Sequence, residues 1–161
     1  SAYAAGMGLD EIVRGLEAFR PVKGRLERKQ AFNGALLIDD TYNANPDSVR
    51  AAVDVLAGLG QHSILVLGDM GEVGRDGGRF HEEVGAYAKE QGVSRLLGFG
   101  GMAAAAVKAF GQGAQHFDSL EELNRVLGDE VTPDTAVLVK GSRFMKMERV
   151  VEPLMVKKEG C

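Results

Sequence analysis

The sequence is poor in the devices that staple small proteins and in the patterns that mark several large functional classes. Its single cysteine, Cys161, is the last residue. That excludes an intramolecular disulfide and a cysteine-rich metal site, and it fits a reducing cytoplasm. At that position the thiol reads as an idle surface group. Only four prolines stand against 22 glycines, a balance that predicts many tight turns rather than a disordered chain. No apolar run approaches the roughly 20 residues needed to span a bilayer, and the first residues lack the basic and apolar regions of a signal peptide. No membrane partner is expected. Lys and Arg total 19 against 23 Asp and Glu, for a net charge of −4. Without a basic field to hold a phosphodiester backbone, nucleic acid is a poor partner. A Walker A motif is absent, and Gly98-Phe99-Gly100-Gly101 lacks the full G-x-G-x-x-G spacing. It reads as a tight strand-to-helix turn.

What remains is an ordinary globular balance. The 161 residues, 45% apolar and 26% charged, suffice for one domain with a substantial core. The chain starts Ser1-Ala2-Tyr3 rather than with Met, which suggests that the natural protein extends upstream. Leu9, Ile12, Val13 and Leu16 have helical spacing, with Asp10 and Glu11 in the first turn and Pro21 as a stop. Pro21-Val22-Lys23-Gly24 then forms a hinge-like stretch, which leaves that helix without a partner. Strand patterns over 25–31 and 35–40 flank Asn33-Gly34, the dipeptide favoured by a two-residue type I′ hairpin turn.

From there strands and helices alternate. Asn45 is placed to cap a helix with Pro46 at its first position and Val49, Ala52, Val53 and Leu56 on one face. A strand over 63–67 leads to a helix over about 79–90, with Phe80, Val84, Tyr87 and Ala88 expected on its core side. A strand over 95–99 precedes an alanine-rich helix, and a short strand near 115–117 precedes Ser119-Leu120-Glu121-Glu122, which has capping-box spacing. A strand over 135–139 runs into Lys140-Gly141-Ser142 and a last helix. The alternation specifies an α/β, Rossmann-like three-layer sandwich. Its mostly parallel sheet would have about six strands, one of them an antiparallel edge strand from the N-terminal hairpin.

In such sheets ligands bind beyond the carboxyl ends of the strands, where helix N-termini present backbone N–H groups. Four segments meet that rule: 39–45, 68–74, 98–102 and 140–143. Asp39-Asp40 could bind a divalent cation or ribose hydroxyls, or could simply begin a turn. Tyr42, between Thr41 and Asn43, joins an aromatic face to several amide groups. The loop Gly68-Asp69-Met70-Gly71-Glu72-Val73-Gly74 invites binding or is a flexible connection, with Met70 as packing. His81, beside Glu82 and Glu83, reads as a solvated or capping histidine or as a catalytic one. Lys140-Gly141-Ser142-Arg143 offers two cations and a hydroxyl for a carboxylate or phosphate, or is a plain strand exit.

Taken in order, Val22-Lys23-Gly24-Arg25-Leu26-Glu27, Asp39-Asp40-Thr41-Tyr42-Asn43-Ala44-Asn45-Pro46, Gly68-Asp69-Met70-Gly71-Glu72-Val73-Gly74 with His81, and Val139-Lys140-Gly141-Ser142-Arg143 resemble the Mur ligases of peptidoglycan synthesis. The resemblance is strongest to the branch that adds D-alanyl-D-alanine to UDP-N-acetylmuramoyl-tripeptide. It covers essentially the whole chain. It implies that residues 1–22 are the last helix of a central ATPase domain plus a hinge, 23–157 the C-terminal domain, and 158–161 a tail. It further implies ATP as substrate and Mg2+ held outside this chain. The missing N-terminal and central domains would be its partners, in a cytoplasmic, bacterial and monomeric enzyme. By resemblance Arg25, Asp40, Tyr42, Asn43 and Asn45 would serve ATP, and Glu72, His81, Lys140, Ser142 and Arg143 the incoming dipeptide. The chain departs from relatives with Gly-His-Glu at the final loop or an Asp-Asn-Pro-Arg motif, so selection of a diamino acid is not implied. Two other readings are a receiver-like phosphoacceptor domain, using Asp39-Asp40, Asp69 and Lys140, and a standalone nucleotide-binding module.

Overall fold

The buried strands are short apolar runs that have a helix layer on each side, which is why their sequences do not alternate. In a computed structural model, which describes residues 23–59, 62–71 and 73–155, six strands form one sheet. They are β1 (Glu27–Gln30), β2 (Leu36–Asp40), β3 (His62–Gly68), β4 (Arg95–Phe99), β5 (Ala114–Phe117) and β6 (Thr135–Lys140). Their order is β1-β2-β6-β3-β4-β5. β1 pairs antiparallel with β2, and every other pairing is parallel. The expected architecture is thus present. The partnerless helix over 9–19, the tail over 158–161, Cys161 and Glu72 lie outside the described residues.

Five helices cover the sheet: α1 (Pro46–Gly58), α2 (Gly77–Glu90), α3 (Ala103–Phe110), α4 (Leu120–Glu130) and α5 (Glu148–Met155). α1, α2 and α3 pack with Ile38, Leu65, Leu67 and Leu138 into one core. α4 and α5 pack with Leu37, Ile64, Val66 and Val139 into another. The period-2 alternation of side chains sends neighbouring residues of each strand to opposite cores. None of the described helices is long and apolar enough to cross a membrane.

Two local expectations are corrected. The hairpin turn is not type I′, which needs positive φ at both central residues. Among the described non-glycine residues only Leu26 and Lys146 have positive φ, while Gly34 has φ 94°. Gly34 N–H donates to Ala31 O and Ala31 N–H to Ala35 O, the three-residue loop with a glycine bulge. Asn33 is drawn away from the two-residue form by its amide, which donates to Val131 O at 2.8 Å. The core side of α2 is as expected: Val84 and Ala88 are buried and Phe80 and Tyr87 pack against the same core at its margin, while Gly77, His81 and Gly85 are buried beside them. A Cβ on Gly85 would lie 2.2 Å from Ala106 O, so α3 sits directly on that stripe. Finally, Lys140 to Arg143 does not open a helix. A 3-10 turn over Arg143–Met145 and a left-handed Lys146, φ 51°, come before α5.

The caps behave as the residue types dictate. Asn45 Oδ1 accepts from Ser48 N–H at 2.8 Å, and Ser48 Oγ accepts from Asn45 N–H at 3.0 Å, a reciprocal box with Pro46 at the first helical position. Ser119 Oγ accepts from Glu122 N–H at the start of α4.

Candidate functional site

After β2 the chain crosses to α1 on one face of the sheet, and after the adjacent β6 it continues to α5 on the other. The crevice between two such strand ends is where open α/β sheets hold ligands. Asp40 and Lys140 are register partners across it and point to the same face. Lys140 Nζ lies 2.7 Å from Asp40 Oδ2 and 3.0 Å from Asn43 O. Asp40 Oδ1 accepts from Leu26 N–H at 3.1 Å. Burial pushes the Asp40 carboxyl above its ordinary value. The attraction of Lys140, its hydrogen bond and that of Leu26 oppose the rise, and Asp39 adds to it.

The segment before β1 is tied to the turn after β2. Tyr42 N–H donates to Gly24 O at 2.8 Å, and the Arg25 guanidinium stands 4.3 Å from the Tyr42 ring centroid. Arg25 and Tyr42 are both exposed. Asn43, also exposed, turns its Oδ1 back to accept from Ala44 N–H, while Asn45 is occupied as the cap of α1.

The residues expected to meet the dipeptide separate. Arg143 is exposed and pairs with Glu148. Ser142 is buried: its Oγ accepts from Gly71 N–H and donates to Ala44 O at 3.3 Å, and its N–H donates to Asp69 O at 3.0 Å. His81 is fully buried. Its Nε2 accepts from Met70 N–H at 3.0 Å, and Nδ1 lies 2.6 Å from Gly77 O. A carbonyl can only accept, so Nδ1 carries the proton and Nε2 is bare. His81 is therefore neither solvated nor turned outward in this structure. It pins the loop after β3. Met70 itself is buried as packing. Asp69 is also buried, and its Oδ1 accepts from Ala103 N–H at 2.7 Å at the start of α3. That bond occupies one of the two Asp69 oxygens.

A cleft of about 450 Å³ opens beside Tyr42 and Arg143, lined also by Lys23, Lys29, Asp39, Thr41 and Glu148. Asp39 Oδ2 pairs with Lys29 at 3.0 Å, and its Oδ1 accepts from Thr41 Oγ1 at 2.6 Å. Lys29 and Glu148 were not among the residues expected from sequence. Hairpin register could have indicated Lys29, because Glu27 is opposite Asp39 and Lys29 shares the face of Glu27. Among the described residues no group of three or more acidic, histidine or cysteine side chains could hold a metal. The carboxylates ending β2 and β3 are each committed within the chain, so these residues do not fit a Mg2+ site.

Comparison with known proteins matches residues 24–143 to the family model "Mur ligase, glutamate ligase domain". The chain is 38% identical over 156 residues to the UDP-N-acetylmuramoyl-tripeptide--D-alanyl-D-alanine ligase of Escherichia coli, covering 95% of this chain and 34% of that protein. Among solved structures, MurF from Acinetobacter baumannii superposes with a TM-score of 0.79 at 36% identity, over 97% of this chain and 35% of that one. The MurF ligase of Thermotoga maritima in complex with ADP gives 0.76 at 26% identity, over 89% of this chain and 35% of that one. The chain thus spans about a third of the length of the relatives it matches.

Proposed function

The chain belongs to the Mur ligase, glutamate ligase domain family, and from that premise we propose that it is the C-terminal part of an ATP-dependent ligase. The whole enzyme would join D-alanyl-D-alanine to UDP-N-acetylmuramoyl-tripeptide for peptidoglycan in the bacterial cytoplasm. Residues 1–22 would be the end of a central ATPase domain and the hinge, 23–157 this domain and 158–161 a tail. One observation carries the reading: Arg25, Asp40 and Tyr42, separated in sequence, meet at a single joint between the hinge and the switch-point turn.

The chemistry has two steps. The terminal carboxylate of the tripeptide attacks the γ-phosphorus of ATP, releasing ADP and forming an acyl phosphate. The neutral amine of the dipeptide then attacks the acyl carbon and expels phosphate, with loss of the amine proton. Phosphoryl transfer gains most from positioning and from cations on the moving charge. Arg25 supplies an exposed cation, stacked on Tyr42, at the hinge. Tyr42 and Asn43 offer an aromatic face and an amide to the adenine and ribose, and the Asp40 carboxylate, already held by Leu26 N–H and Lys140, keeps only its remaining lone pairs for ribose hydroxyls. Asn45 shapes that turn by capping α1. Arg143, which lines the same cleft as Tyr42, can pair with the dipeptide carboxylate, and Glu72 would serve the same substrate. Mg2+ would neutralise phosphate charge from ligands outside the described residues.

The test is ADP release by the full-length protein that contains this chain. Release that requires both UDP-N-acetylmuramoyl-tripeptide and D-alanyl-D-alanine is expected, with none from the 161-residue chain alone. Release with another amine acceptor but not this dipeptide would overturn the substrate assignment, and ligation by the isolated chain would overturn the division of labour.

A further inference from the structure

Lys140 is badly placed to greet a dipeptide. Its side chain is 3% exposed, and two of the three protons an ammonium can donate are directed inward, to Asp40 Oδ2 and Asn43 O. Those acceptors stand at the end of β2 and in the turn that follows, on either side of Tyr42. Ser142, two residues further along, reaches Ala44 O. The exit of β6 therefore grips the 40–44 stretch at a carboxylate and two carbonyls, while the other oxygen of the same carboxylate holds Leu26 N–H beside Arg25. A buried ion pair adds little net stability over apolar residues of the same volume, but its directed bonds can fix geometry.

We infer that Lys140 is a positioning residue for the nucleotide side of the site, fixing the Asp40 carboxylate and the turn that presents Tyr42, and not a contact for the dipeptide. The inference rests on the ligase reading above. It assigns the last loop two separate tasks: Lys140 and Ser142 brace the nucleotide turn from within, and Arg143 alone faces outward.

The test is steady-state kinetics of the full-length ligase with Lys140→Met, which removes both bonds, and Lys140→Gln, which keeps an amide donor and guards against a variant that does not fold. Melting curves establish folding. The expected result is a KM for ATP raised about tenfold or more in Lys140→Met, the scale of one lost charge-assisted hydrogen bond, and less in Lys140→Gln. The KM for D-alanyl-D-alanine should stay within about twofold, a change too small for a lost direct contact. A folded variant whose dipeptide KM rises while its ATP KM does not would overturn the inference and return Lys140 to the dipeptide. An unchanged ATP KM in folded Lys140→Gln and Lys140→Met would overturn it too. A parent protein that ligates nothing would instead reject the ligase reading itself.

Discussion

Asp40, Lys140, Ser142 and His81 form an inner tier whose polar groups are engaged inside the chain, whereas Arg25, Tyr42, Asn43 and Arg143 form an exposed rim. Both tiers come from the same few loops at the carboxyl ends of the strands. The inner tier fixes where those loops lie: His81 holds Met70, Ser142 joins Ala44, Gly71 and Asp69, and Lys140 joins Asp40 to Asn43. The rim has the freedom to meet a ligand. Polar residues in a site motif can thus serve it without touching anything that binds.

The largest expected effect falls on the inner tier. His81→Ala leaves Met70 N–H without its partner and opens a cavity under the loop. A loss of about 2–4 kcal/mol in urea denaturation is expected from the combined cavity and hydrogen-bond terms. A loss below about 0.5 kcal/mol, the range of ordinary surface substitutions, would break the distinction between the tiers.

A smaller effect concerns Asp40 and pH. Burial raises its carboxyl above the ordinary aspartate value, so the folded state holds the proton more tightly than the unfolded state does. Its titration therefore contributes stability that is full below the ordinary aspartate value and is lost as pH rises through the raised one. Relative to Asp40→Asn, the parent should lose stability across that rise. A parent that gains stability relative to the variant over the same window would mean that Lys140 outweighs burial and that the group belongs with ordinary ion pairs.

Much of this arrangement was legible in the sequence, and the illegible parts have physical reasons. The apolar runs fix the strands because a strand with a helix layer on each side cannot alternate, and Asn45-Pro46 marks the start of α1 because its capping is local. The hairpin turn departs from the type I′ form that Asn33-Gly34 favours, and a distant group, Val131 O, claims the Asn33 amide. The burial of His81 is not legible locally, because the group it holds, Met70 N–H, belongs to the loop after β3, a tertiary fact absent from the spacing of α2. Lys140 is recognisable as a cation at a strand end, but its direction depends on β6 lying beside β2. Sheet order is not written in any local pattern. Lys29 is hidden in the same way, since its partner Asp39 is chosen by hairpin register.

The rim should show the smallest effect on stability and a large one on ligands, and Arg25 states the contrast most directly. Arg25→Ala removes a stacked, exposed cation, worth about 0.5–1 kcal/mol to the fold. Melting and ATP kinetics measured together on this variant of the full-length ligase are the decisive pair. The account predicts a nearly unchanged melting temperature with a KM for ATP raised about tenfold or more. An unchanged KM in a folded variant would contradict it.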